Sequence, residues 1–252
     1  MDQLAEKEIK GKYDNAYCRL ILLDYDGTLV NHTRIPSIRK LSRHLSEILL
    51  KFIEKPGNDV YIITGRGHKD IEKILKHLPV NIIADHGAMI REGGKWKNRS
   101  TAMTQWKDDL IPLLQRLTDS CPGSFVEEKS FSLAWHYRNA DPETGFSGSR
   151  ELIRVIERLT HSFNLKILDG NKIVEVISME TGKGNAVERL LKNSGYDFIL
   201  SIGDDATDEE MFHYLSDKEN AITIRVGNGT TFAKNTLPGS DDVLTLLKQL
   251  SE

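Results

Sequence analysis

The chain has 252 residues, enough for one large domain or two modest ones, with 39% hydrophobic and 28% charged residues. Its net charge of −3 gives no electrostatic reason to expect nucleic acid or a membrane as a partner. No apolar stretch approaches the roughly 20 residues that span a bilayer, and Met1–Tyr13 has no apolar signal core. Cys18 and Cys121 lack metal-type spacing, so we expect free thiols in a reducing cytoplasm.

The first half of the chain alternates apolar runs with helical patterns. A polar, helix-permissive segment (2–17) precedes the apolar run Leu20–Leu23, which ends in Asp24 and Asp26. An unbroken run of this kind is typical of a strand buried on both faces of a parallel sheet. The next predicted elements are a helix over 37–53, a strand over 60–63, a helix over 68–77 and a strand over 81–84. This order predicts a parallel sheet with right-handed crossovers.

The pattern changes after Gly87. The predicted elements here are a hairpin over 89–97, a helix over 104–118, a long strand over 125–138, a helix from Pro142 to Phe163 and two strands within 165–177. They indicate an antiparallel sheet with two helices, an α+β cap domain over 88–178. We expect it to be inserted between core segments 1–87 and 179–252 and to act as a lid over the strand ends.

The opening pattern returns after residue 180. A helix over 184–193 precedes the apolar strand 198–202, which ends in Gly203-Asp204-Asp205. The remaining predicted elements are a helix over 208–215, a strand over 221–226 and a helix over 241–250. The expected fold class is therefore α/β, with one parallel sheet interrupted by the inserted domain.

Acidic residues follow two of the predicted buried strands. They are Asp24 and Asp26 after the first, and Asp204, Asp205 and Asp208 after the fourth. If both strands belong to one sheet, their carboxyl ends bring these acids together, and such oxygen ligands suit Mg²⁺ beside a phosphate. Two alternatives remain: the first pair can simply begin a turn, and the capping-box spacing of Thr207 and Glu210 can explain Asp208.

A lysine between two glycines opens the helix that follows the inserted region. A cation at Lys183 opposes the helix dipole, and an anionic ligand would make the placement favourable. The hydroxyl of Thr64, at the end of the second strand, can donate to the same anion. Taken singly, each residue also fits an ordinary surface or strand-end role. Gly182-Lys183-Gly184 lacks the other residues of a P-loop, and Gly227-Asn228-Gly229 fails as a dinucleotide fingerprint.

These four motifs, in this order, resemble those of the haloacid dehalogenase-like phosphotransferases. The set is Asp24-x-Asp26-Gly27-Thr28, Thr64, Lys183 and Gly203-Asp204-Asp205. Longer stretches are similar to trehalose-6-phosphate phosphatases, in particular the phosphatase domain of two-domain trehalose synthase–phosphatase proteins. Those stretches are Leu23–Leu29, Ile63–Arg66, Asp85–Gly87, Val126–Lys129, Trp135–Arg138 and Gly203–Glu209.

The resemblance implies a Rossmann-like haloacid dehalogenase-type core and assigns roles to its residues. Asp24 would be the nucleophile that forms an aspartyl-phosphate, and Asp26 the acid and base. Thr64 and Lys183 would bind the phosphoryl oxygens. The cofactor would be Mg²⁺, held by Asp24, the Asp26 backbone carbonyl and Asp204, with support from Asp205 and Asp208.

Substrate choice is expected to come from the cap. On one strand Glu127 and Lys129 would point to the same face, and the resemblance assigns both, with Glu175, to the distal sugar. A cross-strand ion pair is the alternative. Where the family often has Glu-Val-Arg-Pro, this chain has Glu175-Val176-Ile177-Ser178, which weakens the case for a substrate-binding arginine there. Gly65, Arg66 and His86 complete the substrate-binding candidates, although His86 can also cap a strand end.

The sequence thus predicts Mg²⁺-dependent hydrolysis of trehalose 6-phosphate to trehalose and phosphate, for trehalose biosynthesis in the cytoplasm. The alternatives are another sugar phosphatase, acting on sucrose 6-phosphate or a mannosyl phosphate, and a non-catalytic domain that senses the sugar phosphate. We expect a monomer with a small-molecule substrate, no nucleic acid or membrane partner, and a trehalose-6-phosphate synthase as a candidate partner.

Overall fold

The computed structural model describes residues 3–31, 41–99, 104–192 and 194–252. The chain forms two compact units, one of residues 1–99 with 182–252 and one of residues 100–181. None of the described helices is long and apolar enough to cross a membrane.

The larger unit is built on an eight-stranded sheet. Its strands are β1 (Arg19–Asp24), β2 (Asn58–Ile63), β3 (Asn81–Ala84), β4 (Met89–Glu92), β5 (Lys95–Asn98), β10 (Phe198–Gly203), β11 (Ala221–Val226) and β12 (Asn235–Leu237). Their spatial order is β12-β11-β10-β1-β2-β3-β4-β5, with parallel pairing from β12 to β3. The predicted parallel α/β core is confirmed, and β1 lies at its centre.

Helices cover both faces of this sheet. They are α1 (Gln3–Asn15), α2 (Arg43–Glu54), α3 (His68–Leu75), α6 (Lys183–Leu191), α7 (Ala206–Leu215) and α8 (Ser240–Ser251). Ile21 and Leu23 of β1 pack in the cluster with α1, α2, α3 and α8, whereas Leu20 and Leu22 pack with α6 and α7. Both sets are fully buried, which explains why β1 is apolar without alternation. Positions 37–40 and 193 of two predicted helices, including Ile38, lie outside the described residues.

The smaller unit has a four-stranded antiparallel sheet and two helices. Its elements are α4 (Trp106–Ser120), β6 (Phe125–Glu128), β7 (Ser132–His136), α5 (Pro142–Phe163), β8 (Leu165–Gly170) and β9 (Ile173–Ser178), with sheet order β6-β7-β9-β8. Apolar residues of α4 and α5 pack against Leu133, Trp135 and Val176 on one face of the sheet. The expected α+β arrangement of this region is confirmed.

Two details of the sequence-based assignment are wrong. The hairpin of β4 and β5, expected in the inserted domain, belongs to the core sheet because β4 pairs with β3 in antiparallel register. The predicted strand over 125–138 is two strands, β6 and β7, joined by a turn at residues 129–131. A continuous apolar and polar alternation across a tight turn looks like a single strand when the pairing is unknown.

Candidate active site

The carboxyl ends of three adjacent strands form the base of the site. In the sheet, β1 lies between β10 and β2, and Asp24 is in register with Ile63, the residue before Thr64. Asp204 directly follows β10. Because parallel strands end at the same edge, Asp24, Thr64 and Asp204 leave the sheet side by side, at the place where open α/β sheets bind ligands.

Lys183 joins two of the predicted acids. Its Nζ donates to Oδ1 of Asp24 at 2.7 Å and to Oδ1 of Asp208 at 2.8 Å. Asp24, Lys183 and Asp208 are all buried, with exposed fractions of 4%, 2% and 0%. The alternative of a solvated surface lysine is therefore wrong.

A close approach of two helices explains how Lys183 reaches Asp208. A Cβ atom at Gly184 would lie 2.9 Å from the backbone oxygen of Glu210, so only glycine lets α6 pack this near α7. The glycine after the lysine thus has a structural reason, which the sequence pattern did not show.

Asp204 is placed by a second glycine. Gly27, in the loop after β1, has φ +97°, a conformation that L side chains rarely adopt. A Cβ atom there would lie 2.1 Å from Oδ2 of Asp204. The loop after β1 therefore cradles the Asp204 carboxylate in space that only glycine leaves open.

Asp205 and Asp208 organise the start of α7. Asp205 is the N-cap residue, and its Oδ1 accepts from the backbone N–H groups of Thr207 and Asp208. The Oδ2 atom of Asp208 accepts in return from the backbone N–H of Asp205 and of Asp204. The capping box predicted at Thr207 and Glu210 is therefore wrong, because the helix begins two residues earlier, at Ala206.

The pKa values of the charged side chains in the site are set by burial and by the interactions between these side chains. Burial raises the pKa of Asp24 to about 7, with Lys183 acting in the opposite direction. Burial likewise raises the pKa of Asp208. Burial opposes the charged form of Lys183, but Asp208 and Asp24 outweigh it and raise the pKa of that ammonium. The pKa of Asp205 falls to about 2: burial acts to raise it, but Lys183 and the cap hydrogen bonds prevail.

The acidic cluster fits a divalent cation. Asp24, Asp204 and Asp208 each offer one oxygen, and these three atoms lie within 4.8 Å of one another. The buried Oδ2 of Asp24 has no hydrogen-bond partner among the described residues, as expected of an oxygen that awaits a ligand. Both Asp208 oxygens already accept hydrogen bonds, so Asp24 and Asp204 are better placed to contact an ion.

Arg66 clamps the second acid of the first motif. Its Nε and one terminal nitrogen donate to the two carboxylate oxygens of Asp26, at 2.5 and 2.7 Å. The backbone N–H of Arg66 donates to Oγ1 of Thr64, which leaves the hydroxyl proton of Thr64 to serve as a donor. From the sequence, Arg66 is expected only as a substrate contact, because no periodicity indicates its pairing with a residue 40 positions away.

A turn with left-handed backbone conformation, residues 85–87, connects the backbone at Thr64 with the backbone next to Lys183. Asp85, His86 and Gly87 all have positive φ, which is unusual for the first two. The backbone N–H groups of Asp85 and His86 donate to the carbonyls of Arg66 and Thr64, and the His86 carbonyl accepts from Gly182 N–H. His86 is buried against Gly65, where a Cβ would lie 2.3 Å from its ring. This turn fixes the backbone around both phosphate-binding candidates.

The sugar-binding candidates lie in the smaller unit, where Lys129 and Glu175 contact each other. The Lys129 ammonium donates to Oε1 of Glu175 at 2.8 Å, and the Ser132 hydroxyl donates to the same oxygen at 2.5 Å. Glu127 instead lies 2.8 Å from Nε2 of His136, a hydrogen bond that lowers the pKa of the carboxyl.

Lys129 follows β6 rather than lying on it, so the expectation that it shares one strand with Glu127 is wrong. Ser132 and His136 were not singled out from the sequence, because only the pairing of β6 with β7 and of β7 with β9 brings them beside these carboxylates.

The parallel sheet, the inserted α+β unit and the acid cluster at the strand ends define a haloacid dehalogenase-like hydrolase fold. A haloacid dehalogenase-like hydrolase from B. subtilis shows the same fold, with a TM-score of 0.67 and 17% identity over 91% of this chain and 98% of that one. The trehalose-phosphatase family profile matches residues 22–243, so the chain belongs to that family. The resemblance of its motifs to these phosphatases is thereby confirmed.

Two further relatives cover nearly all of the chain. The C-terminal domain of C. albicans trehalose-6-phosphate phosphatase has a TM-score of 0.91 and 27% identity, over 98% of this chain and 96% of that one. An alpha,alpha-trehalose-phosphate synthase [UDP-forming] B of Dictyostelium discoideum is 40% identical over 97% of this chain and 32% of its own length. The chain thus spans about a third of the length of the first curated relatives it matches.

The raised pKa of Asp24 predicts how stability depends on pH without metal. In the unfolded chain the carboxyl ionises near pH ~4. Between pH ~4 and ~7 the folded protein therefore holds a proton that the unfolded chain has lost, so stability falls as pH rises through this window. We expect the free energy of unfolding of the wild type, relative to Asp24→Asn, to fall by about 1–3 kcal/mol from pH ~5 to ~7.5.

Urea unfolding of both proteins in a chelating buffer measures this difference. Asparagine keeps the volume and a hydrogen-bond acceptor for Lys183 but cannot ionise. Parallel pH curves for the two proteins would contradict the assignment of a raised pKa to Asp24.

Proposed function

We propose that this chain hydrolyses trehalose 6-phosphate to trehalose and inorganic phosphate, with Asp24 as nucleophile and Mg²⁺ as cofactor. One observation carries the proposal: Asp24 is held by Lys183 through Oδ1, while its buried Oδ2 has no hydrogen-bond partner among the described residues. Membership of the trehalose-phosphatase family and the likeness to the C. albicans phosphatase domain support the choice of substrate.

In the first step, a carboxylate oxygen of Asp24 attacks phosphorus and the bond from phosphorus to the sugar oxygen breaks. Asp26 donates a proton to the leaving oxygen, and Arg66 orients the Asp26 carboxyl through its paired hydrogen bonds. In the second step Asp26 takes a proton from water, whose oxygen attacks the phosphorus of the aspartyl-phosphate. Phosphate leaves and Asp24 is restored.

Positive charge on the phosphoryl oxygens lowers the barrier. Lys183 and the Thr64 hydroxyl bind these oxygens, and positioning of this kind is the main source of catalysis in phosphoryl transfer. Asp24, Asp204 and the backbone carbonyl of Asp26 would hold Mg²⁺, which supplies further positive charge when bound. Asp205 and Asp208 keep the Asp204 loop in place through the capping box at the start of α7.

The smaller unit is proposed to recognise the sugar distal from the phosphate. Glu127, Lys129 and Glu175 carry charged hydrogen-bonding groups suited to sugar hydroxyls. Hydrogen bonds with His136 and Ser132 hold the carboxylates of Glu127 and Glu175, respectively, in defined positions. The substrate would come from a trehalose-6-phosphate synthase, as the name of the Dictyostelium discoideum relative suggests for that protein.

Turnover of a panel of sugar phosphates tests the proposal directly. With Mg²⁺ present, we expect phosphate release to be fastest from trehalose 6-phosphate, and Asp24→Asn to lower kcat by about 10³-fold or more because the nucleophile is lost. If sucrose 6-phosphate or a mannosyl phosphate is hydrolysed faster, that sugar phosphate is the substrate instead of trehalose 6-phosphate. Binding of trehalose 6-phosphate without release of phosphate would favour a sensing role.

The close contact between Gly27 and Asp204 allows a test of Mg²⁺ binding by Asp204. Gly27→Ala places a Cβ atom 2.1 Å from Asp204 Oδ2 and should displace this carboxylate, so most of the Mg²⁺-induced rise in melting temperature should be lost. Gly227→Ala is the matched control, because φ is +82° there and no atom lies within 4 Å of the added Cβ. Equal Mg²⁺ stabilisation of the two variants would show that Asp204 does not bind the ion.

Glu127 should contribute to binding of the sugar but not to cleavage of the phosphate ester. We expect Glu127→Gln to lower kcat/KM for trehalose 6-phosphate by about tenfold, because hydrogen bonds to a charged group are lost. The rate with p-nitrophenyl phosphate, which has no sugar, should change less than about twofold. The exposed Glu151→Gln in the same unit serves as control. Equal losses on both substrates would assign Glu127 to the fold.

A further inference from the structure

A buried lysine in the smaller unit has no role in the reaction described so far. Lys107 lies in the first turn of α4, and only 5% of it is exposed. A cation near the N-terminus of a helix opposes the helix dipole, and a buried ammonium requires hydrogen-bond acceptors to offset lost hydration. The position is therefore unfavourable unless nearby groups of the protein need the charge.

The groups that bind this ammonium belong to a single turn. Its Nζ donates to the backbone carbonyl of Lys129 and, at 2.9 Å, to that of Ser130. Both carbonyls lie in the turn that joins β6 to β7, where they are outside the sheet ladder. The carboxylate of Glu128, 3.8 Å from the ammonium, supplies a weaker and more exposed partner.

Hydrogen bonds from Lys107 hold this turn on the side of α4. A groove of about 440 Å³ lies there, and its lining includes Gln105, Asp108 and Ser130. The Lys107 ammonium reaches the turn beside this groove. Loss of the ammonium would leave two carbonyls without these donors and would free the turn to move.

The turn determines where the Lys129 side chain lies. Its ammonium donates to Oε1 of Glu175 at 2.8 Å, and the two side chains are only 12% and 8% exposed. Ser132, the first residue after the turn, donates to the same oxygen. A shift of the turn backbone would therefore move the Lys129 ammonium away from Glu175.

We propose that Lys107 is a positioning residue for sugar recognition: by binding the carbonyls of Lys129 and Ser130, it fixes the Lys129 ammonium beside Glu175. This inference depends on the proposed role of Lys129 and Glu175 in binding the sugar of the substrate. In this role Lys107 acts through the turn and not by contact with the phosphate or the sugar. Its effect is therefore confined to substrates that carry the sugar.

Two substrates separate this role from a general contribution to folding. Lys107→Met keeps the apolar stem and removes the ammonium. We expect it to raise KM for trehalose 6-phosphate about tenfold with kcat little changed, and to leave kcat/KM for p-nitrophenyl phosphate within about twofold. Lys107→Arg, which retains a donor, should recover part of the loss. Arg116→Met removes an exposed cation from the same helix and should behave as wild type.

A double variant shows whether Lys107 acts through Lys129. If it does, Lys107→Met combined with Lys129→Met should have the same KM for trehalose 6-phosphate as Lys129→Met alone. Additive effects, or equal losses on both substrates, would overturn the proposal.

If Lys107→Met does not fold, Lys107→Gln tests the same contacts. It keeps a polar side chain but removes the ammonium, and it should raise KM for the sugar phosphate only. An unchanged KM for that variant would also overturn the proposal. A wild-type protein inactive on trehalose 6-phosphate but active on p-nitrophenyl phosphate would instead reject the proposed substrate.

Discussion

The whole arrangement of the larger unit depends on one buried ammonium shared by two carboxylates. Lys183 contacts Asp24 and Asp208 at 2.7 and 2.8 Å in a region almost without exposure to solvent. Unpaired charges at this depth would be costly, so each of the three side chains needs the other two. The ammonium joins the end of β1, the start of α6 and the first turn of α7. Burial raises the pKa of both carboxyls, and a further cation at the site would favour their charged forms.

Close backbone approaches make this charge arrangement possible. Gly27 leaves room for the Asp204 carboxylate, and Gly184 lets α6 approach α7 so that Lys183 reaches its partners. Asp208 then has two functions: one carboxylate oxygen accepts a hydrogen bond from Lys183, and the other accepts one from the backbone N–H of Asp205, the N-cap residue of α7. The acids therefore divide into those held by the protein's own donors and those with an oxygen left for a ligand. Asp24 belongs to both groups.

The smaller unit uses the same principle for a different purpose. Its paired side chains, Lys129 with Glu175 and Glu127 with His136, lie on β6, β7 and β9 and on the turn after β6. A buried lysine on α4 binds two carbonyls of that turn. In the proposed function, chemistry and sugar recognition belong to two units that have separate hydrophobic cores.

The parallel core and the acidic residues at its carboxyl edge are predictable from the amino-acid sequence alone. A strand buried on both faces must be apolar throughout, so its end and the acids after it, such as Asp24 and Asp204, are readable. The partners of these residues become visible in the folded chain: Lys183 pairs with Asp24, 159 positions away, and Arg66 pairs with Asp26, 40 positions away. The tertiary structure also places the β4–β5 hairpin in the core sheet and Lys129 in a turn held by Lys107. Strand register and helix packing set these contacts, and neither leaves a periodic signal in the chain.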